Sequence, residues 1–342
     1  MWVRGRGTDP RAGRTAPSAD PPPPAPGESY AGWRVTTAAS FHHEALFYGS
    51  DAEYLAGAVP FIRRGLEDDA AVLVAVGERR RRMLTDGLAA DAERVVFVDM
   101  PAIGRNPARI IPVWRAFAAE HGARGRPLRG IGEPAWPGRN RDELVECARH
   151  EALLNLAFAE TPRFDLLCPY DARGLAPHVL EEARHTHPHV TEAGLSERSA
   201  AYRTPAAAFA DTLAPPTRRP AVLAFGRHEL GAVRDFVAGG ARRAGLGADR
   251  AEDLVLAVNE LATNSLLHAS GHGIVRLWLE DGTVLCEVRD DGRIGDPLAG
   301  RSLPAPDALG GRGLWLVNQL CDLVQVRTTT GSTVVRVHMA RD

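Results

Sequence analysis

Residues 258–269 read V-N-E-L-A-T-N-S-L-L-H-A and carry three polar side chains in an otherwise apolar segment. Glu260, Asn264 and His268 recur at every fourth position, so on an α-helix they lie on one face. A carboxylate can take a proton from an attacking hydroxyl, and a neutral amide oxygen can bind Mg²⁺. Taken alone, such a stripe is more often a solvated or capped helix face. For His268, packing and a place beside the site are equally good interpretations.

Two glycine-containing segments follow the stripe in the chain. D-D-G-R-I-G at 290–295 comes after an apolar strand pattern, and G-G-R-G-L at 310–314 comes before a helical one. Glycines allow the backbone to approach phosphates, and the N-terminal N–H groups of the following helix would point at those anions. Each segment alone is more often a turn, but the three in this order favour a nucleotide site.

Together, the stripe and the two segments resemble the N, G1 and G2 boxes of the GHKL (Bergerat) ATPase fold. The resemblance spans about 218–342 and is to the version found in anti-sigma factor serine kinases of the RsbW and SpoIIAB type. It implies ATP and Mg²⁺ as cofactors, with Asn264 as the metal ligand and Glu260 as the general base. The other binding residues that it implies are Asp290 and Gly292 at the adenine, and Gly310, Gly311, Arg312 and Gly313 at the phosphates.

Two positions leave alternatives open within this resemblance. Arg312 is equally well interpreted as a solvent-facing residue of the ATP lid, which would span 294–309. Ile294 stands where the family commonly has a second glycine, with Gly295 one place later. This departure bears more on phosphoryl transfer than on nucleotide binding, because Asp290 and Gly292 remain.

The resemblance implies a cytoplasmic protein serine/threonine kinase that phosphorylates an anti-sigma-factor antagonist and binds a sigma factor. A homodimer is compatible with it. One alternative is a nucleotide-dependent switch that sequesters a partner without kinase activity. Another is a histidine-kinase-like component, although the segment 191–217 is too short and too rich in proline to supply a phosphoacceptor hairpin.

The elements around these boxes form an α+β pattern. We predict a strand at 221–225, a helix at 229–244, and a second helix that opens with a capping box at Asp249 and Glu252. Asp281-Gly282 separates two alternating strands and is the strongest hairpin signal in the chain. A helix near 312–321 and a last hairpin complete a sheet that is covered by helices on one face.

The preceding region has a different rhythm, in which short apolar runs alternate with helical segments. The predicted strands are 70–76, 94–100, 127–132 and 164–170, and helices at 78–90, 107–121 and 141–160 fill the gaps. This order predicts a parallel sheet covered on both faces. Ligands of such sheets bind at the carboxyl ends of the strands. The candidate sensory residues at or near this edge are His43, Tyr48, Asp99, Glu133, Cys168, Tyr170 and Asp171, although these could equally cap loops and helices.

Several segments of this region, among them F-H-H-E-A-L-F-Y at 41–48, R-G-I-G-E-P at 129–134 and L-L-C-P-Y-D at 166–171, resemble the MEDS sensory domain. The similarity spans roughly 36–190 and implies a module with a RecA-like scaffold that senses a small-molecule signal. The chain has no G-x-x-x-x-G-K-[ST] segment, which argues against P-loop catalysis. H-T-H-P-H at 185–189 could bind a metal, but no carboxylate or cysteine accompanies it in the sequence, which favours a polar helix end.

Composition sets the outer limits of these interpretations. The chain has 342 residues, 44% of them hydrophobic, and a formal charge of -2, which fits two globular domains and argues against nucleic-acid binding. Residues 1–35 are rich in Pro, Gly and Arg, which predicts a disordered tail, and 191–217 is expected to be a linker. The four cysteines are dispersed, and no apolar run is long enough to cross a membrane, so we expect a reducing, cytoplasmic location.

Overall fold

A computed structural model describes residues 2–3, 41–122, 125–205, 212–303 and 311–341. Within these ranges the chain forms two α/β domains, each with its own sheet. No helix in the described ranges combines the length and the apolar character that crossing a membrane requires.

The N-terminal domain contains a seven-stranded sheet in the order β4-β3-β5-β6-β2-β7-β8. All neighbouring pairs are parallel except β7 with β8, which form an antiparallel edge hairpin. Strand β3 is buried at every position, as expected for a central parallel strand covered on both faces. The strands are β2 (Phe41–Tyr48), β3 (Ala71–Val76), β4 (Val95–Asp99), β5 (Leu128–Gly132), β6 (Phe164–Asp171), β7 (His189–Glu192) and β8 (Leu195–Arg198).

Helices cover both faces of this sheet and enclose two apolar cores. They are α1 (Asp51–Glu67), α2 (Glu78–Leu88), α3 (Met100–Gly104), α4 (Ile110–Gly122), α5 (Arg141–Ala157) and α6 (Pro177–Thr186). Helix α5 begins with a capping box, in which the Asn140 side chain accepts from the Glu143 N–H and the Glu143 carboxylate accepts from the Asn140 N–H. This well-fixed helix carries several of the buried polar residues described below.

The C-terminal domain contains an antiparallel sheet in the order β13-β14-β11-β10-β9. Its core is formed by apolar side chains of the sheet and of helices α7, α8 and α9. The strands are β9 (Ala221–Gly226), β10 (His272–Glu280), β11 (Thr283–Asp290), β13 (Leu323–Thr329) and β14 (Ser332–Ala340), and the helices are α7 (Leu230–Arg243), α8 (Ala248–His268) and α9 (Arg312–Leu320).

The strands and helices predicted from the sequence are confirmed to within a few residues. Asp281 and Gly282 both have positive φ, 45° and 80°, as a two-residue type I′ hairpin requires. The capping box at Asp249 is wrong, because α8 begins at Ala248 after Gly247 and Asp249 therefore lies inside the first turn. In this turn its carboxylate interacts favourably with the positive end of the helix dipole.

Two parts of the sheet in the N-terminal domain were not predicted. Strand β2 lies between β6 and β7 and was read only as a motif. The hairpin of β7 and β8 extends the sheet to Arg198, so the predicted linker, 191–217, begins inside this hairpin. Strands β7 and β8 were missed because each is only four residues long, too short for a clear alternation.

Of the predicted tail, 1–35, the structure describes only Trp2–Val3. These two residues form a short strand, β1, paired antiparallel with β12 (Arg293–Ile294) after the G1-type segment. The other residues of the predicted tail lie outside the described ranges.

Candidate functional site

Helix α8 presents its polar stripe at the side of the C-terminal core. Glu260, Asn264 and His268 are each half-buried, whereas Leu261 and Ser265 beside them are buried. The stripe therefore lines an accessible region while the rest of the helix packs on the sheet.

The start of α9 lies directly against this stripe. A Cβ atom added to Gly313 would lie 3.1 Å from Glu260 Oε2 and 3.2 Å from Asn264 Nδ2. Gly311, which precedes the helix, has φ +85°, a conformation that glycine adopts without strain. The structure thus brings Gly313 of the G2-type segment to Glu260 and Asn264, in the first turn of α9. Arg312 is exposed at the first position of α9, and Gly310 lies outside the described residues.

Asp290 ends strand β11 and is buried near the C-terminal part of α8. Its carboxylate accepts hydrogen bonds from Ser265 Oγ at 2.5 Å and from the Gly292 N–H at 2.8 Å. Burial raises the pKa of Asp290, and the Ser265 and Gly292 donors counteract this effect. Such an arrangement fixes one carboxylate in a recess where it can accept a hydrogen bond from a bound base.

Two residues beside Asp290 escaped sequence analysis. Ser265 lies within the quoted helix motif, but only the tertiary structure shows that its hydroxyl holds Asp290. Thr333 pairs with Asp290 across β11 and β14, is fully buried, and donates to the Gly292 carbonyl at 2.9 Å. The register of the two strands is the signal that would have found Thr333.

In the N-terminal domain, three of the predicted sensory residues line one cavity of about 350 Å³ at the carboxyl ends of the strands. Tyr48 donates to Glu133 Oε1 at 2.7 Å, and Arg80 donates to the Tyr48 hydroxyl at 2.9 Å. Burial raises the pKa of Glu133 to about 7. Asp171 also lines this cavity, so it combines aromatic, cationic and carboxylic groups.

Three other predicted sensory residues belong to a separate buried cluster. His43 and Cys168 lie beside Glu151 and His187, and all four are almost completely buried. Tyr170 is buried against the same cluster, with its ring 5.6 Å from the His187 ring. Asp99 joins neither group, because it is exposed at the start of α3.

Glu151 and His187 were missed as parts of a site. Glu151 was not among the candidate residues, and His187 was interpreted as part of a polar helix end. In space, His187 has both a carboxylate and a cysteine beside it, supplied by α5 and β6. Because these elements are distant in sequence, local spacing could not show the cluster.

The two domains meet at α9 and the segment after β12. Arg109 donates to the Asn318, Gln319 and Cys321 carbonyls at 2.7, 2.6 and 2.8 Å, so a side chain of the N-terminal domain caps the C-terminus of α9. Asn106 donates to Asn318 Oδ1 at 3.1 Å, and Asn318 in turn donates to the Gly300 carbonyl at 3.0 Å.

The same interface contains a buried charge cluster. Glu146 of α5 accepts from Arg327 at 2.8 Å and lies 3.9 Å from Arg301 Nη2. All three residues are buried, and burial lowers the pKa of Arg301 to about 10. Leu298, from the same segment as Arg301, packs on the apolar core of the N-terminal domain. The part of the predicted lid that the structure describes therefore contacts both domains, since Ile294 and Ala299 pack on the C-terminal core.

A cavity of about 670 Å³ lies between α7 and α8. Its lining is mainly apolar, with Arg234, Arg242, Glu252 and Asn259 at its sides, and it includes none of the stripe residues. A site is defined by converging polar groups as well as by size. We therefore assign the site chemistry to the Asp290 region and not to this groove.

The fold consists of two α/β domains, and each of them matches a known family. Residues 42–188 match the family model of the MEDS domain, the methanogen/methylotroph DcmR sensory domain. Residues 227–339 match the model of the histidine kinase-like ATPase domain. The chain thus combines a MEDS sensory domain with a GHKL-type ATPase domain.

Solved structures and curated proteins add little beyond these two families. The RsbU and RsbW domains of Rv1364c from Mycobacterium tuberculosis align with 60% of this chain and 49% of that chain, at 18% identity and a TM-score of 0.28. The histidine kinase AdeS of Acinetobacter baumannii aligns with 36% of this chain and 70% of that chain, at 12% identity and a TM-score of 0.22. This chain spans about half the length of the first of these structures. Among curated proteins, none matches significantly.

Proposed function

We propose that this chain is a cytoplasmic signalling regulator whose C-terminal domain binds Mg-ATP and transfers the γ-phosphoryl group to a serine or threonine of a partner protein. The main support is the contact of Gly313 with Glu260 and Asn264, because it joins the stripe on α8 to the start of α9. These residues are 49 and more positions apart in the chain, so their meeting is not a local effect.

Each group then has a defined task. Asp290 accepts a hydrogen bond from the adenine amino group, with the buried Gly292 beside it. Asn264 binds Mg²⁺ together with phosphate oxygens and water, as Mg²⁺ prefers few protein ligands. Gly311 and Gly313 allow the backbone to approach the phosphates, and Arg312 adds positive charge there.

Glu260 is the proposed general base. It lies one helical turn before Asn264, where a carboxylate can accept the proton of the attacking hydroxyl while the metal orients the phosphate. Phosphoryl transfer depends mostly on positioning and charge neutralisation, which a rigid α8 supplies. By analogy with kinases of the RsbW type, the substrate is an anti-sigma-factor antagonist and the bound partner is a sigma factor.

The sensory domain controls this site through the lid. Arg301 and Leu298 belong to the segment between β12 and α9, and both are held by the MEDS domain. A signal that shifts α5 or Arg109 would change the support of the lid and of α9 together. The cavity of Tyr48, Glu133 and Asp171 is the proposed place for a small-molecule signal.

The same contacts favour a second candidate function. A lid that is held by another domain suits a nucleotide-dependent switch, which sequesters a sigma factor or antagonist without transferring phosphate. Ile294 in the G1-type segment agrees with this alternative, because it changes the residue at which the lid begins.

Incubation of the full chain with γ-labelled ATP, Mg²⁺ and candidate antagonists tests the two functions. We expect phosphoserine or phosphothreonine on an antagonist, lost in Glu260→Gln while ATP binding persists. Glu252→Gln is the matched control, since Glu252 is exposed on the same helix outside the stripe. Binding of a partner without any transfer would contradict the kinase and support the switch. Unchanged ATP affinity in both Asn264→Asp and Asp290→Asn would contradict the nucleotide site itself.

A further inference from the structure

A cluster of four potential metal ligands lies inside the sensory domain, apart from the ATP site. His43 comes from β2, Glu151 from α5, Cys168 from β6 and His187 from the end of α6. None of these residues is more than 1% exposed. Their ligand atoms all lie within 4.8 Å of one another.

The distances between these atoms fit a tetrahedral ion. Four ligands about 2.0 Å (nitrogen, oxygen) or 2.3 Å (sulfur) from zinc lie about 3.3 to 3.6 Å from one another. Glu151 Oε2 lies 3.0 Å from His43 Nε2 and 3.4 Å from His187 Nε2. Cys168 Sγ lies 3.4 Å from His43 Nε2 and 3.5 Å from Glu151 Oε2. Four of the six pairs of ligand atoms are therefore already close to the spacing that one bound ion would impose.

The hydrogen bonds around His43 orient its ring. Asn155 Nδ2 donates to the Thr186 carbonyl at 2.8 Å and to the Glu151 carbonyl at 3.3 Å, which leaves Asn155 Oδ1 as an acceptor. His43 Nδ1 lies 3.1 Å from that oxygen and donates to it. Nε2, which lies 3.0 Å from Glu151 Oε2, is therefore the ring nitrogen that would bind an ion in the cluster.

His187 is oriented in the same way. Its Nδ1 donates to the Ala183 carbonyl at 2.8 Å, since a carbonyl can only accept. Its Nε2 and Glu151 Oε1 are buried without a hydrogen-bond partner. Histidines that bind metals commonly donate their other N–H to a carbonyl or amide oxygen in this manner. The Nε2 atoms of both imidazoles and the Glu151 carboxylate thus converge on one point. This arrangement favours binding of a cation.

We propose that His43, Glu151, Cys168 and His187 bind one divalent transition-metal ion of the Zn²⁺ class. Two imidazoles, a thiolate and a carboxylate form a mixed donor set that suits Zn²⁺ and Co²⁺ and is too soft for Mg²⁺. All four positions are filled by the protein and none is open to solvent, so the ion would connect β2, α5, β6 and the end of α6. Binding replaces the thiol proton of Cys168 by a metal–sulfur bond, and this proton leaves to solvent.

Titration of the full chain with Co²⁺ after removal of metal by a chelator tests the site directly. We expect one Co²⁺ per chain, with visible bands typical of tetrahedral Co²⁺ and a charge-transfer band of a cobalt–thiolate bond. Zn²⁺ should displace Co²⁺ and abolish both signals. These readouts need no nucleotide, so failure here and failure of the kinase proposal are distinguishable.

Variants locate the ion. Cys168→Ser should lose the charge-transfer band, while Cys147→Ser should retain it, because Cys147 is equally buried on α5 but is not one of the four ligands. Asn155→Ala removes the acceptor of His43 Nδ1 and should weaken Co²⁺ binding about 10- to 100-fold without removing the thiolate band.

Three results would overturn the proposal. The first is a wild-type chain that stays folded by circular dichroism and binds no Co²⁺ stoichiometrically. The second is a cobalt–thiolate band that persists in Cys168→Ser or disappears in a folded Cys147→Ser. The third is an affinity for Co²⁺ that Asn155→Ala leaves unchanged. The wild-type titration decides the matter even where a variant does not fold.

Discussion

Helices α5 and α8 carry polar side chains at the same four-residue spacing but in opposite surroundings. On α8, Glu260 and Asn264 are half-buried beside Gly313 of α9. On α5, Cys147 and Glu151 are completely enclosed by the sheet and by other helices. An open stripe can exchange a ligand that diffuses in, whereas a closed one exchanges its ligand only when the domain opens locally. Spacing alone therefore does not determine chemistry, because burial decides which partners a carboxylate can have.

The largest expected difference between the two stripes is in stability. Glu151→Gln should lower the free energy of unfolding by about 3–5 kcal/mol, since His43, Cys168 and His187 all converge on this carboxylate. Glu260→Gln should change it by less than about 0.5 kcal/mol, because this carboxylate is half-exposed. Equilibrium unfolding in urea measures both. Equal effects of the two substitutions would remove the distinction between an open and a closed stripe.

The buried carboxyl of Glu133 should make the stability of the protein depend on pH, with an effect between those of Glu151 and Glu260. Burial raises the pKa of Glu133 from the ordinary value of 4.5 to about 7, so the folded protein favours the protonated carboxyl. The stability that Glu133 contributes is therefore fully present below pH ~4.5 and is lost as the pH rises through ~7. The free energy of unfolding falls by at most about 3 kcal/mol over this range. Melting temperatures of the wild type and Glu133→Gln from pH 5 to 8 should diverge, with the variant more stable at high pH. Parallel curves would contradict the raised pKa.

At the adenine end of the open site, Asp290→Asn should weaken ATP binding. A hydrogen bond to a charged group contributes about 1.5–3 kcal/mol, which corresponds to a loss of about ten- to a hundredfold in affinity. Calorimetric titration with a non-hydrolysable ATP analogue measures this loss. Asp291→Asn is the control, since the Asp291 carboxylate accepts from Ser270 outside the recess. If the two variants bind equally well, Asp290 does not hold the base.

Gly313→Ala should have only a small effect on stability. Alanine is favoured over glycine in a helix by about 1 kcal/mol, and this gain offsets the close contact of its methyl group with Glu260 and Asn264. Stability should change by less than about 1 kcal/mol, while affinity for Mg-ATP falls because the two side chains must move. Thermal unfolding and ATP titration of one sample compare the two quantities. A variant with normal Mg-ATP affinity would show that the stripe does not form the phosphate end of the site.

Sequence patterns predicted the elements far better than the groups that meet between them. Strand β3 has six buried residues in a row and helix α8 has a regular apolar face. Burial therefore produced apolar patterns in the sequence from which both elements could be predicted. The stripe of Glu260 and Asn264 was visible because one helix carries it. Asp290 and the glycines were recognisable because they lie in short segments that follow the stripe in a fixed order along the chain.

What was missed depends on side chains from separate elements. His187 is adjacent in sequence to no carboxylate or cysteine, and only the packing of α5 and β6 brings Glu151 and Cys168 to it. Likewise, the hydrogen bond of Ser265 to Asp290 requires the packing of α8 on β11. The contacts of Glu146 with Arg301 and Arg327 require the docking of two domains, which no periodicity within either domain encodes.

Helix α5 carries both Glu146 and Glu151, and its rigidity has a mechanical consequence. The two carboxylates are five residues apart, which is about 7.5 Å along a helix axis. One of them belongs to the buried cluster of the sensory domain, and the other contacts Arg301 and Arg327 of the C-terminal domain. A displacement of the helix at the first carboxylate would therefore also displace the second, so α5 connects the interior of one domain to the surface of the other.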